Sequence, residues 1–100
     1  MSTEKGRIRI EIHVHTLFSF DSRAGLEEVE EAAIRAGVDL LAVTDHDTIE
    51  GALRLRDRGR IGVVVGEEVT SSLGDIIGLF LERPVPAGLE PEETIDVIRD

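Results

Sequence analysis

The chain has 100 residues, of which 41% are hydrophobic, and its formal net charge at pH 7 is −10. This length allows one small domain, and the hydrophobic fraction is that of a globular protein and excludes a disordered chain. The absence of cysteine excludes disulfides and thiolate metal ligands. Such an acidic chain is a poor sequence-independent binder of nucleic acid, because neutralising phosphates requires lysine and arginine.

The sequence has no feature typical of a membrane or secreted protein. No apolar run reaches the length that crosses a bilayer, and the N-terminal residues Met-Ser-Thr-Glu-Lys-Gly lack the apolar core of a signal peptide. We therefore expect a cytoplasmic protein with no membrane partner. We also expect a flexible N-terminus over residues 1–6 and a single domain over residues 7–100.

Two strands and two helices are predicted in the first 60 residues. Residues 8–14 place isoleucine or valine at every second position, which is typical of a strand. Residues 25–37 combine apolar residues at helical spacing, acidic first turns and a final glycine, and so predict a helix. The nearly continuous apolar run over residues 38–45 predicts a strand buried on both faces. Residues 47–59 predict a second helix.

The rest of the chain predicts two strands and a final helix. Residues 60–66 and 75–81 are mainly apolar, and residues 91–100 begin with a proline, which is typical of the first position of a helix. The order strand, helix, strand, helix, strand, strand, helix indicates an α/β fold with a mainly parallel sheet. Either an open sheet or part of a (β/α) barrel fits this order. Because the last helix lacks a C-terminal capping signal, we expect the architecture to continue beyond it.

All three histidines are predicted at the carboxyl ends of strands. His13 and His15 are two residues apart on one strand, so that their side chains face the same way, and His46 ends the next strand. Glu67 and Glu68 follow the third strand. In a parallel sheet these strand ends lie together, and imidazoles and carboxylates without thiolates suit Zn²⁺, Mn²⁺ or Fe²⁺. The sequence therefore predicts a metal site at this edge, the alternative being half-exposed strand histidines.

Neighbouring residues have two interpretations each. Asp21 is either a ligand or a turn aspartate, and Asp45 is either a ligand or a group that orients His46. Asp47 is predicted to cap the second helix, because a glutamate follows three residues later. Gly66 serves a tight turn or a close backbone approach. The loop hydroxyls that are candidates to bind substrate oxygens are Thr16, Ser19, Thr44, Thr70 and Ser71.

Three segments, in this order and spacing, resemble the N-terminal part of the PHP (polymerase and histidinol phosphatase) superfamily. They are EIHVHTLFSFDS, LLAVTDHDTIEGAL and VVVGEEVTSSLGDIIGLFL. The resemblance implies a distorted (β/α)7 TIM-like barrel, of which this chain is the first half, with two or three divalent metal ions at the C-terminal strand ends. It also implies a phosphoesterase acting on small metabolites or nucleotides, although some members are polymerase-associated exonuclease domains.

The resemblance assigns roles to residues by position. The metal ligands that it implies are His13, His15, Asp21, His46 and Glu68, the last as the carboxylate that bridges metals. The catalytic groups expected are Asp45 and His46. The residues expected to contact a small phosphorylated substrate are Ser19, Thr44 and Asp75.

Three departures from the family pattern limit this expectation. Glu11 stands where aspartate is usual, and Asp75 stands where histidine is common. The chain also lacks the histidine and aspartate motifs of the family's second half, so we expect an incomplete ligand set. Two alternatives to an enzyme follow: a non-catalytic metal-binding module, or an assembly module that completes its barrel with a C-terminal half, another chain or a second copy.

Overall fold

The computed structural model describes residues 8–18 and 25–100, which form an α/β unit of four strands and three helices. The elements in chain order are β1 (Ile10–Val14), α1 (Leu26–Arg35), β2 (Leu40–Val43), α2 (Glu50–Arg58), β3 (Gly62–Ser71), β4 (Gly74–Leu79) and α3 (Pro91–Arg99). This order confirms the one predicted from the sequence. The expected flexible N-terminus, residues 1–6, lies outside the described residues. None of these three helices has the length and apolar character that would let it cross a bilayer.

The four strands form one curled sheet in the order β1-β2-β3-β4. β1 pairs with β2 and β2 with β3 in parallel, whereas β3 and β4 pair antiparallel. The mainly parallel sheet that was predicted therefore includes one antiparallel strand, because the two residues between β3 and β4 allow only a hairpin. The sheet has the form of half a barrel, and its four strands do not by themselves make the TIM-like barrel that the resemblance implies.

β3 departs most from the sequence prediction, because it continues past Gly66 to Ser71. Its first residues pair with β2, and the segment from Gly66 onward pairs with β4. A Cβ atom on Gly66 would lie 2.8 Å from the carbonyl oxygen of Gly78, so this glycine serves a close backbone approach and not a turn. The prediction that Glu67 and Glu68 follow the strand was wrong: both lie within it.

The two faces of the sheet have different surroundings. One face packs against the helices and forms the apolar core, to which Leu41 and Val43 of β2 and Leu55 of α2 contribute. Because Leu41, Ala42 and Val43 are all buried, β2 is buried on both faces, as predicted. The opposite face bears large apolar side chains that are 37–64% exposed, namely those of Ile10, Ile12, Ile77 and Leu79.

An ion pair between a buried glutamate and two partly exposed arginines joins α1 to the end of α2. Glu30 is fully buried, and its two carboxylate oxygens accept hydrogen bonds from Arg58 Nε at 2.6 Å and Arg60 Nη1 at 3.2 Å. The hydrogen bond from Arg58 is the main cause that holds the pKa of Glu30 below its usual range, against the opposing effect of burial. A carboxylate in this position needs its partners, because an unpaired buried charge is strongly destabilising.

The first prediction concerns this ion pair. Because the folded-state pKa of Glu30 is lowered, its stabilisation is present above the ordinary glutamate pKa of about 4.3 and is lost as the pH falls through the folded-state value. We expect Glu30→Gln to lower the free energy of unfolding by about 2 kcal/mol at pH 7 and by much less near pH 3. Urea denaturation at both pH values, with the exposed Glu31→Gln as the control, checks this. An equal loss at both pH values would contradict it.

Candidate metal centre

β1 contains an irregularity next to the first histidine. Glu11 pairs with Leu41 and Val14 pairs with Val43, so β1 has one more residue than β2 between these two pairs. Within this bulge His13 has φ 69°, a conformation that few residues other than glycine adopt. Backbone strain of this kind is concentrated at functional sites, where the surrounding structure maintains it.

The three histidines converge on Glu68, whereas Glu67, which the sequence had placed at the same edge, does not join them. The Nε2 atoms of His13 and His15 lie 2.5 and 2.9 Å from Glu68 Oε1, and His46 Nδ1 lies 3.9 Å from Glu68 Oε2. The ring centroids of His13 and His15 are 5.0 Å apart, and those of His15 and His46 are 4.7 Å apart. A parallel bridge between the backbones of His46 and Glu68 extends the pairing of β2 and β3 to this point.

The two adjacent glutamates have opposite surroundings, because neighbouring strand residues point to opposite faces. Glu67 is buried on the helix side, where its Oε1 accepts a hydrogen bond of 2.7 Å from the backbone N–H of Val85, and burial raises its pKa. Burial also opposes ionisation of Glu68, but hydrogen bonds with His13, His15 and Asp75, together with the charge of His46, outweigh it and lower the pKa of Glu68. Glu68 is therefore the glutamate suited to contact a cation.

Two groups of potential ligand atoms share Glu68. One consists of His13, His15 and Glu68, and the other of His46, Glu68 and Asp75, with the ligand atoms of each group within 4.8 Å of one another. Nitrogen and carboxylate oxygen donors of this kind fit a divalent transition metal. Asp75 joins the second group because the β3–β4 hairpin brings it opposite β3. Sequence reasoning had assigned it to substrate contact and had missed this proximity.

Asp45 lies beside the histidines but contacts a different residue. Its Oδ1 accepts a hydrogen bond of 2.5 Å from the backbone N–H of Thr16, and its Oδ2 accepts one of 2.6 Å from the Thr16 hydroxyl. Asp45 belongs to neither of the two ligand groups found among the described residues. Its carboxylate holds the chain that follows His15, and its catalytic role stays a prediction.

The prediction that Asp47 caps the second helix was wrong. α2 begins at Glu50 with Ile49 as its N-cap, and Asp47 lies before it with φ 54°. The Asp47 carboxylate accepts hydrogen bonds of 2.7 Å from both the backbone N–H and the hydroxyl of Thr70 in β3. The positive φ angle belongs to a turn between strand and helix, and the carboxylate binds β3 and not the first turn of α2.

The other residues predicted to bind metal or substrate are buried, lie outside the described residues or bind the backbone. Thr44 is fully buried, and a Cβ on Gly66 would lie 2.9 Å from its methyl group, so it lies beneath the cluster. Within residues 8–18 and 25–100, no hydrogen-bond partner of its hydroxyl is found. Ser19 and Asp21 lie outside the described residues. The Ser71 hydroxyl donates to the carbonyl oxygen of Gly74 in the hairpin turn.

The model of the PHP domain family matches residues 11–78. This match covers the three histidines, Glu68 and Asp75. The chain belongs to the PHP domain family. Metal dependence is a property of this family, and the two ligand groups are in agreement with it.

Proteins with similar sequences carry different functional names. An uncharacterized protein of Methanocaldococcus jannaschii, MJ1587, is 34% identical over 93% of this chain and 62% of its own length. A phosphoribosyl 1,2-cyclic phosphate 1,2-diphosphodiesterase of Eggerthella lenta is 37% identical over 77% of the chain and 32% of its own length. An error-prone DNA polymerase of Nocardia farcinica is 36% identical over 76% of the chain and 6% of its own length. The chain thus spans less than two thirds of each of these relatives.

The second prediction concerns Gly51, which lies in α2 against the Asp45–Thr16 pair. A Cβ atom there would lie 2.5 Å from Asp45 Oδ2 and 3.3 Å from Thr16 Cβ. A glycine-to-alanine change within a helix ordinarily stabilises by up to about 1 kcal/mol. Because of this overlap, we expect Gly51→Ala to lower the free energy of unfolding by about 1–3 kcal/mol. Thermal or urea denaturation measures the change.

The control is a double-mutant cycle with Thr16→Ala, which removes part of the overlapping side chain. We expect the loss in the double variant to be smaller than the sum of the two single losses. A Gly51→Ala variant as stable as the wild type would contradict the packing described here.

Proposed function

We propose that this PHP domain is a metal-dependent phosphoesterase whose metal centre is formed by the ends of β1 and β2 and by the middle of β3. The observation that carries the proposal is the convergence of His13, His15 and His46 on the carboxylate of Glu68. Membership of the PHP family supports hydrolysis of a phosphoester at the superfamily level, and one relative is named as a phosphodiesterase.

The proposed ligands form two overlapping sets. We propose that His13, His15 and Glu68 would hold one ion and that His46, Glu68 and Asp75 would hold a second, with Glu68 common to both sets. Asp21 is a further ligand by family resemblance. We propose Zn²⁺, Mn²⁺ or Fe²⁺, because both sets combine imidazole nitrogen with carboxylate oxygen.

The chemistry divides between the ions and the protein. Bound divalent ions supply a Lewis acid that activates water and neutralises the oxygens of the phosphate. The protein positions the ligands and, through the low pKa of Glu68, maintains a negative charge between the two sets. With a formal net charge of −10, the chain itself repels a phosphate, which makes a small phosphorylated substrate dependent on those ions. We propose His46 as a ligand and Ser19 as a candidate for substrate contact, whereas the full burial of Thr44 leaves its side chain no access to a substrate.

The rate of phosphoester hydrolysis expected of this chain depends on how many metal ligands it supplies. The five ligands expected from the sequence, even with Asp75 added, do not complete two coordination spheres of roughly four to six donors each. The resemblance implies that other family members supply further ligands from a second half of a barrel. We therefore propose that the 100-residue chain by itself holds its second ion weakly and is a slow phosphoesterase.

The third prediction tests the metal centre with adjacent glutamates. We expect Glu68→Gln to lower the affinity for Zn²⁺ or Mn²⁺ by more than the roughly 10- to 100-fold loss that is typical of groups around a ligand. Glu67→Gln is the matched control, because its amide oxygen can still accept the hydrogen bond from Val85. The measurements are metal content after dialysis, competition titration and hydrolysis of a phosphomonoester and a phosphodiester with added metal.

Three outcomes of this experiment have different meanings. Metal binding and hydrolysis that are both lost in Glu68→Gln and in a His13→Ala/His15→Ala double variant support the proposed enzyme. Metal binding without hydrolysis of either substrate favours a non-catalytic metal-binding module. Equal metal content in the wild type and the double variant would refute the proposed centre.

A second candidate function, assembly, rests on the exposed apolar face of the sheet. Ile10 and Ile12 of β1 and Ile77 and Leu79 of β4 lie at the two edges of this face, and each is at least 37% exposed. Exposed apolar surface that is contiguous with unpaired strand edges is typical of a surface that another polypeptide covers. We propose that the isolated chain associates with itself through this face.

The fourth prediction tests this association. We expect light scattering to give a mass above the 10.9 kDa of one chain, rising with concentration, and Ile10→Glu to restore the monomer. Leu73→Glu is the control, because Leu73 is 85% exposed at the tip of the β3–β4 hairpin, away from the sheet face. A wild-type chain that stays monomeric at every concentration would contradict the prediction.

A further inference from the structure

His46 lies between two aspartates that bind threonines in the same way. Asp45 accepts hydrogen bonds from the backbone N–H and the hydroxyl of Thr16, at 2.5 and 2.6 Å. Asp47 accepts hydrogen bonds from the backbone N–H and the hydroxyl of Thr70, both at 2.7 Å. Each carboxylate therefore uses both oxygens on one threonine. We refer to these four residues, Asp45, Asp47, Thr16 and Thr70, as the aspartate clamp.

The aspartate clamp joins the three segments that carry the proposed metal ligands. Thr16 directly follows His15, and Thr70 lies two residues after Glu68, so the segment around His46 is tied to β1 on one side and to β3 on the other. Two backbone hydrogen bonds reinforce the second connection. They run from Glu68 N–H to the Asp45 carbonyl at 2.9 Å and from Asp47 N–H to the Glu68 carbonyl at 3.0 Å.

Burial and an uncommon backbone angle make the clamp sensitive to substitution. Thr16 and Asp45 are at most 1% exposed, so the loss of either hydrogen bond would leave a buried polar group without its partner. Asp47 keeps φ at 54°, which aspartate tolerates better than most residues but which still requires support from its surroundings. Small displacements of Thr16 or Thr70 would move His15 or Glu68 relative to His46.

We propose that Asp45 and Asp47 are positioning residues, which act through Thr16 and Thr70 to set the spacing of the metal ligands and thereby the metal affinity. This inference rests on the proposed function, because it concerns the same centre. It assigns a role to Asp45 that differs from the catalytic one expected from the sequence. Supporting hydrogen bonds around metal ligands are typically worth about 10- to 100-fold in metal affinity.

Threonine variants test the clamp without altering any proposed ligand. Thr70→Val removes the hydroxyl at an exposed strand position, where valine favours the strand, so we expect the variant to fold as well as the wild type. We expect it to lower Zn²⁺ and Co²⁺ affinity by about 10-fold or more and to change the visible absorption of bound Co²⁺. Thr16→Val should do the same, and Thr16→Ser and Thr70→Ser should restore most of the affinity.

Thr94→Val is the matched control for a purely structural effect. Thr94 is fully buried in α3, and its hydroxyl donates a hydrogen bond of 3.0 Å to the Glu90 carbonyl, so the change removes a similar bond away from the metal centre. Denaturation of all variants is measured beside the competition titrations. We expect Thr94→Val to lose stability but to bind Zn²⁺ and Co²⁺ like the wild type.

The outcomes separate the clamp from the metal centre itself. If the wild type and Thr70→Val bind metal equally and the Co²⁺ spectrum is unchanged, the positioning role of the clamp is overturned. The proposed function is unaffected by that result. A wild type that binds neither ion would overturn the proposed function and the clamp together. If metal affinity falls as much in Thr94→Val as in Thr70→Val, the loss reflects lower overall stability, and the positioning role of the clamp is overturned.

Discussion

The carboxylate of Glu68 is the interaction on which the rest of the site depends. It lies in the middle of β3, and its two oxygens face histidines that come from β1 and from the end of β2. Side chains that are more than 50 residues apart in the chain meet there, because the parallel pairing of three strands places their ends at one edge. The same carboxylate belongs to both potential ligand groups, so its loss affects both at once.

Pairing on both sides of β3 is what places Glu68 there. The strand pairs with β2 up to Val65 and with the backbone of His46 at Glu68, and from Gly66 onward it also pairs with β4 in a hairpin. Gly66 permits the hairpin pairing because the backbone of β4 approaches it too closely for a side chain. The hairpin then contributes Asp75 to the site and keeps Glu67 on the helix side, where it binds the backbone of Val85.

The organisation of the sheet connects the site with its neighbouring surface. Helices cover one face and form the core, while the face that bears Glu68 also carries exposed isoleucine and leucine side chains. The proposed metal centre and the apolar surface proposed for association therefore share one face of the sheet.

The sequence by itself determined the order of the elements and the identity of the central residues, because both depend on local patterns. Period-two spacing, helical spacing, apolar runs and helix-start signals together predicted the seven elements, and the placement of His13, His15 and His46 at the ends of apolar runs predicted their convergence. Strand alternation indicated that only one of the two adjacent glutamates faces the histidines, and the resemblance to the PHP family selected Glu68. Only the tertiary structure decided the length of β3, the bulge at His13, the partners of Asp45 and Asp47, and the position of Asp75. Each of these depends on hydrogen bonds between segments that are distant in sequence, such as Asp47 with Thr70, and local patterns carry no information about such pairing.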